Sequence, residues 1–343
     1  MSQQPSSALR VVVFSTKDYD QSGLTEALER VPNAAPIKFR FLSSRLSANT
    51  AELAKDADAV CVFVNDTVNK EVLKILHDRG VGLIALRCAG FNNVDLKAAS
   101  ELKIPVVRVP AYSPNAVGEF VAAQLLTLAR KIHKAYNRVR ENNFDLQGLV
   151  GIEVRGKTVG IVGTGKIGVA TATVLKGLGL ELLGYDVFPN QDFKNLGGRY
   201  VELNELLSQS DIVSLHCPLN ENTKHLIRAE TLSIMKPGAY LINTSRGALM
   251  DTQAVLDALY SGHIGALAMD VYEGEGDLFF EDRSGAIVHD PLLAKLQALP
   301  NVLITGHQAF LTDVALRNIY RITIENISNF YYQKPLETIL NKV

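Results

Sequence analysis

The chain has 343 residues, 47% of them hydrophobic, with Lys+Arg 35 against Asp+Glu 36 and a formal net charge of -1. That length holds two domains with sizeable cores and the composition excludes a disordered chain, while the balanced charge leaves no global basic field for nucleic acid or an anionic lipid surface. Three cysteines, Cys61, Cys88 and Cys217, are too few and too scattered for a disulfide framework, and none forms a CxxC pair, so no metal site is expected. The polar opening MSQQPSSALR lacks a signal-peptide apolar core and no run reaches the length of a membrane span, so the expected location is the cytoplasm.

After a short disordered lead, residues 9–16 read as an apolar strand, 22–30 as a helix and 37–42 as a second strand. Buried strands are expected at 59–64 and 82–87 with a helical pattern at 69–79 between them, and a short strand at 106–109. This alternation predicts a parallel sheet with helices on both faces, without a phosphate-binding glycine turn. The stretch from Pro110 to Pro114 breaks the pattern and marks a domain crossing. One long helix is expected from Pro114 to about Arg140, because proline is tolerated where a helix begins. Further strands are expected at 158–162, 181–185, 211–215, 239–243, 266–270 and 301–304, with helices at 203–208, 229–235 and 251–261. A long polar loop at 274–291 carries Phe279 and Phe280, and a final helix runs from 309 to about 332.

The densest signal lies at 157–186. A strand enters Gly163-Thr164-Gly165-Lys166-Ile167-Gly168, a helix follows with Ile167, Ala170, Val174 and Leu178 on one face, and a second strand ends at Asp186. Gly163 permits the tight turn, Gly165 lets a pyrophosphate approach the backbone, and Gly168 lets the helix lie close to the sheet. The helix N-terminus offers free N–H groups and the positive end of its dipole to phosphates. Asp186 is placed to accept hydrogen bonds from a ribose diol and to repel a 2′-phosphate, which favours NAD over NADP.

In open α/β sheets ligands lie beyond the carboxyl ends of the strands. There the second half of the chain has His216-Cys217-Pro218, Thr244-Ser245-Arg246-Gly247, Asp270-Val271-Tyr272-Glu273-Gly274-Glu275 and Gly306-His307-Gln308. An Arg, several acids and two His suit hydride transfer to a 2-oxo acid. A guanidinium forks onto the substrate carboxylate, and an imidazolium donates a proton to the carbonyl oxygen as hydride reaches its carbon. A carboxylate beside that His would orient the ring and favour its charged form. Spacing alone does not choose between His216 and His307, or between Glu273 and Glu275.

These segments, together with Arg87-Cys88-Ala89-Gly90-Phe91-Asn92-Asn93-Val94-Asp95, Val109-Pro110-Ala111-Tyr112-Ser113-Pro114, Ser214-Leu215-His216-Cys217-Pro218 and Thr305-Gly306-His307-Gln308-Ala309-Phe310, resemble the D-isomer-specific 2-hydroxyacid dehydrogenases. Within that family the chain looks most like the NAD-dependent fermentative D-lactate dehydrogenases. The segment from Asp277 to Asp282 favours that branch, and the match covers nearly the whole chain. The family often has Pro before its proton-donor His, whereas Gly306 stands here.

The resemblance implies two Rossmann-like doubly wound parallel-sheet domains, a flavodoxin-like substrate domain and an NAD-binding domain, with a cleft between. The substrate domain would be discontinuous, residues 1–111 and 309–343, and the NAD-binding domain 112–308. It implies Arg246 as the substrate-binding arginine, His307 as the proton donor and Glu275 as its partner carboxylate, with His216 a wall residue. Gly163, Gly165, Lys166, Ile167, Gly168, Asp186, Cys217, Pro218, Thr223, Thr244, Ser245 and Asp270 would hold NAD. Ala89 and Gly90 would hold the substrate carboxylate, and Phe63 and Tyr112 would line the side-chain pocket. A homodimer joined through the cofactor domains is implied, with the long helix from 114 as its element. The expected reaction is reduction of pyruvate to D-lactate. The alternatives are the same chemistry on phenylpyruvate, branched 2-oxo acids, glyoxylate or hydroxypyruvate, and an NAD-sensing, corepressor-like binding role.

Overall fold

A computed structural model describes residues 7–343; residues 1–6 of the expected lead lie outside them. In chain order come β1 (Leu9–Val13), α1 (Asp18–Arg30), β2 (Ile37–Phe41), β3 (Ala59–Val62), α2 (Lys70–Asp78), β4 (Ile84–Leu86), α3 (Leu96–Glu101) and β5 (Val106–Val107). Next are α4 (Pro114–Ala129), α5 (Ile132–Arg140), β6 (Thr158–Val162), α6 (Lys166–Gly177), β7 (Glu181–Tyr185), α7 (Gln191–Asn195), β8 (Arg199–Tyr200) and α8 (Leu203–Gln209). The chain finishes with β9 (Ile212–Leu215), α9 (Ala229–Ile234), β10 (Ala239–Asn243), α10 (Thr252–Tyr260), β11 (Ile264–Met269), α11 (Pro291–Ala298), β12 (Val302–Ile304) and α12 (Asp313–Tyr331). Two compact units result: one holds the chain up to Ser113 together with Thr312–Val343, the other Pro114–Leu311.

The first unit is a five-stranded parallel sheet in the order β2-β1-β3-β4-β5. Its central strand β3 is buried at every residue, which is what an apolar run such as Ala59-Val60-Cys61-Val62 needs. Val60, Val62, Ile84 and Leu86 share one core with Leu73 and Leu76 of α2. Helices begin where a side chain satisfies a free backbone donor: Asn69 accepts from the Val72 N–H and Asp95 from the Ala98 N–H. The C-terminal helix α12 lies on α1, with the Tyr320 ring set against the bare backbone of Gly23.

The second unit is a seven-stranded parallel sheet in the order β12-β11-β10-β9-β6-β7-β8. Both units therefore have the expected α/β parallel-sheet class. The order reverses on either side of β6, so the glycine turn after β6 sits where neighbouring connections diverge. Helices α4 and α6 cover one face and approach closely through Gly118, where an added Cβ would lie 2.9 Å from the Thr171 nitrogen.

Several elements differ from expectation. The helix expected over 114–140 is two helices, because Lys131 turns left-handed at φ 53° and the Ala129 carbonyl accepts the Ile152 N–H instead of continuing the helix. The sheet has seven strands rather than six, since β8 is a two-residue edge strand too short to show periodicity. The helices α3, α7 and α11 were not expected, being short and marked only by their caps Asp95, Asn190 and Asp290. The last helix begins at Asp313 rather than 309, because Thr312 accepts the Ala315 N–H and fixes its start.

The close approach of α4 and α6 has a measurable consequence. Gly118→Val forces a side chain against Thr171 backbone and should lower stability by about 1–3 kcal/mol, read as a shift in urea midpoint with little change in slope.

Candidate active site

Register places the second unit's chemistry. Val162 pairs with Leu215, Leu215 with Asn243, Asn243 with Met269 and Met269 with Ile304. The residues that follow those strand ends, Gly163, His216, Thr244, Asp270 and Thr305, therefore leave one edge of the sheet level with one another.

At that edge Gly163 has φ +95° and lies against the His216–Cys217 backbone, where a Cβ would come within 2.5 Å of the Cys217 nitrogen. Gly168 abuts the Gly163 carbonyl, whereas nothing lies within 4 Å of a Cβ placed on Gly165. Helix α6 starts at Lys166 with no side chain capping it, so its first N–H groups, including those of Lys166 and Ile167, face that open space. This cradle fits a pyrophosphate. Asp186 directly follows β7, and its Oδ2 accepts both the Thr164 N–H (2.6 Å) and the Thr164 hydroxyl (3.2 Å), while Oδ1 accepts the Phe188 N–H. Tyr200 lies 2.6 Å from the same Thr164 hydroxyl and accepts the Asn190 N–H. Tyr200 and Asn190 thus belong to the acid's surroundings, and no motif marked them in the sequence.

The loop after β9 is held by Thr223, whose hydroxyl donates to the Pro218 carbonyl and accepts the Asn220 N–H. Burial pushes the Cys217 thiol up to about 11, so it stays a neutral, half-buried surface. Ser245 donates its hydroxyl to the Cys217 carbonyl, joining this loop to the one after β10. The Thr244 hydroxyl is buried with no hydrogen-bond partner among the described residues, and a bound amide or diol would satisfy it.

His307 Nδ1 lies 2.9 Å from Glu275 Oε1, with the two side chains 14% and 22% exposed. Glu275 Oε2 accepts the Tyr272 N–H, so the carboxylate is held at both oxygens. His307 itself has φ 55° and donates its N–H to the Asp270 carbonyl, and the Phe280 ring lies 5.4 Å from its ring. Glu273, by contrast, faces His225 at 2.8 Å and accepts from Thr252. Glu275 therefore pairs with His307, and Glu273 with His225.

Asp270 is buried and braces the His307 loop: Thr305 and Gln308 donate to Oδ1 and Ala309 to Oδ2. Burial raises its carboxyl above the usual range, against those three donors and the nearby His307. Three of about four acceptor positions are taken, which leaves room for one further donor. Arg246 donates to the Ser245 carbonyl at 2.6 Å, and its own carbonyl accepts from Asn243. Gly247 lies directly against the Tyr272–Glu273 backbone, which ties the Arg246 loop to the one carrying Glu275.

In the first unit, Phe63 follows β3, Ala89 and Gly90 follow β4, and Tyr112 follows β5, all beyond strand carboxyl ends. The Phe63 carbonyl accepts from Asn93, the Ala89 carbonyl from Arg108 at 2.9 Å, and the Tyr112 carbonyl from Asn318 at 2.7 Å. Arg108 also lies over the Phe91 ring at 5.1 Å. Arg108 and Asn318 brace these loops without any sequence signal. Among the described residues, no group of three or more His, Cys, Asp or Glu could hold a metal ion, and no helix is long and apolar enough to cross a membrane.

The sequence profile of the D-isomer specific 2-hydroxyacid dehydrogenase NAD binding domain matches residues 122–309. The chain is 49% identical over 321 residues to the D-lactate dehydrogenase of Escherichia coli, covering 94% of this chain and 96% of that one. It is 48% identical over 332 residues to a 2-hydroxyacid dehydrogenase homologue of Haemophilus influenzae, covering 97% and 99%. The structure of the pyruvate reductase of Chlamydomonas reinhardtii matches with TM-score 0.90 at 45% identity, over 96% of this chain and 98% of that one.

His216 provides a test of the site's packing. Its Nε2 lies 2.9 Å from the Ser214 hydroxyl, and burial pushes its imidazole down to about 4 from 6.5. Between those values the unfolded chain binds a proton that the native state refuses, so stability is full above 6.5 and falls as pH drops toward 4. The loss reaches about 3 kcal/mol at most. Calorimetry from pH 7 to 4 should show a smaller fall in Tm for His216→Gln than for the parent protein.

Proposed function

From a chain that belongs to the D-isomer specific 2-hydroxyacid dehydrogenases, and so is an NAD-dependent oxidoreductase, we propose the reaction pyruvate + NADH + H⁺ to D-lactate + NAD⁺. The observation that carries the catalytic part is the His307–Glu275 pair at 2.9 Å. Glu275 holds Nδ1 and stabilises the imidazolium, so Nε2 is the atom that gives its proton to the substrate carbonyl oxygen and recovers it in the reverse direction. Arg246 forks onto the substrate carboxylate and fixes the carbonyl carbon's orientation. Bound NADH supplies the hydride.

In the same proposal the N–H groups of Lys166 and Ile167 receive the pyrophosphate, with Gly165 leaving it room and Gly168 holding the helix close to the sheet, and Asp186 receives the ribose diol. Cys217, Pro218, Thr223, Thr244, Ser245 and Asp270 form the remaining walls and donors around the cofactor, with Gly163 keeping the turn tight. Ala89 and Gly90 present backbone to the carboxylate, and Phe63 and Tyr112 make an aromatic wall that suits a methyl-sized substituent. The likeness to a D-lactate dehydrogenase and a pyruvate reductase supports pyruvate over bulkier acids.

We further propose a cytoplasmic homodimer joined through the NAD-binding units. Ile132, Tyr136 and Val139 share one face of α5 and are 52%, 59% and 52% exposed, and the following loop exposes Phe144, Leu146 and Val150. An apolar face of this kind is what a second copy would cover.

Two measurements check these readings. NADH oxidation should be fastest with pyruvate among pyruvate, phenylpyruvate, glyoxylate and hydroxypyruvate, and His307→Ala should lower kcat by roughly 10²–10⁴ with NADH binding retained. Turnover confined to phenylpyruvate would overturn the substrate, and NADH binding with no turnover of any 2-oxo acid would overturn the enzymatic reading. Sedimentation should give a dimer for the parent and a monomer for Tyr136→Glu combined with Val139→Glu.

A further inference from the structure

Arg87 follows β4 and is 1% exposed, the largest of the fully buried side chains. It takes no part in the chemistry described above. Its Nε and Nη2 donate to the two oxygens of Asp20 at 3.2 and 3.3 Å, and Nη2 also donates to the Ser15 carbonyl at 2.8 Å. Asp20 is held in turn by the Tyr320 hydroxyl and the Lys17 N–H. A buried ion pair is a poor stabilising device, because apolar residues of the same volume usually do as well. Its presence in a buried polar cluster with Asp20, Asp66 and Ser15 calls for another reason.

The reason lies on the guanidinium's other side. Its central carbon sits 4.9 Å from the centroid of the Phe63 ring. The backbone of Phe63 is held independently: its N–H donates to Asp66 at 2.6 Å and its carbonyl accepts from Asn93. Asp66 is itself buried, and also accepts from Ser15 and from the Leu46 N–H. The Phe63 backbone is thus held by Asp66 and Asn93, and its ring meets a cation that Asp20 and the Ser15 carbonyl hold in place.

We propose that Arg87 is a positioning residue for substrate selection: by holding the Phe63 ring in one orientation it sets the size of the 2-oxo acid side chain accepted. This rests on the reading of Phe63 as the side-chain wall. A Lys would keep the charge but not the delocalised guanidinium over the ring, nor the two-pronged grip on Asp20.

The test is the ratio of kcat/KM for pyruvate to that for phenylpyruvate in four forms: parent, Phe63→Leu, Arg87→Lys and the double variant. Phe63→Leu should lower the ratio at least tenfold. Arg87→Lys should lower it about fivefold with NADH affinity unchanged, and should add nothing in the Phe63→Leu background. Equal losses on both substrates in Arg87→Lys, or additive effects in the double variant, would make Arg87 merely structural and overturn the inference. No change in the ratio for Phe63→Leu would remove the wall reading and the inference with it. If Arg87→Lys does not fold, a series of fluorinated phenylalanines at position 63 weakens the ring's negative face at nearly constant shape. A stepwise fall in the ratio supports the inference and a flat response overturns it.

Discussion

Parallel pairing is the constraint from which the rest follows. Strands that all point one way must be joined by crossovers, so each loop that leaves a carboxyl end emerges at the same edge. In the seven-stranded sheet the last paired residues are in step from Val162 through Ile304. Residues far apart in the chain, such as Gly163 and His307, are therefore delivered to one edge by backbone hydrogen bonding alone. Side chains need only refine positions that the ladder has already set.

That refinement is done largely by carboxylates, each in a different environment. Asp270 is buried and spends its acceptors on the loop that carries His307. Glu275 is partly buried and meets the imidazole itself. Glu273, two residues away, turns outward and clamps His225 to Thr252. The same functional group thus serves as brace, partner and clamp, and its surroundings decide which.

The fold class and both sheets were legible in the sequence because apolar runs alternate with helical patterns along most of the chain. What was not legible was shorter than a period or held by long-range contact. Strand β8 has two residues, and the break at Lys131 depends on a carbonyl claimed by Ile152, a residue that periodicity does not connect to it. At the candidate site, the glycine turn and Asp186 were marked by spacing. Spacing did not separate Glu273 from Glu275; the resemblance did, and the structure gives the two acids different partners. Tyr200 and Arg108 gave no signal, and Arg87 entered only as part of a recognised segment with no role attached, because a single polar residue beside a strand looks the same whether it faces water or a buried carboxylate.

The double engagement of Asp186 reaches beyond recognition. The carboxylate proposed for the ribose also holds the Thr164 N–H inside the glycine turn. Cofactor identity and the shape of the phosphate cradle are therefore not independent variables in this protein. Engineering toward a phosphorylated dinucleotide by replacing this acid would strip a donor in the turn of its acceptor at the same stroke. A useful redesign has to supply a substitute acceptor for Thr164 before it adds a cation for the extra phosphate.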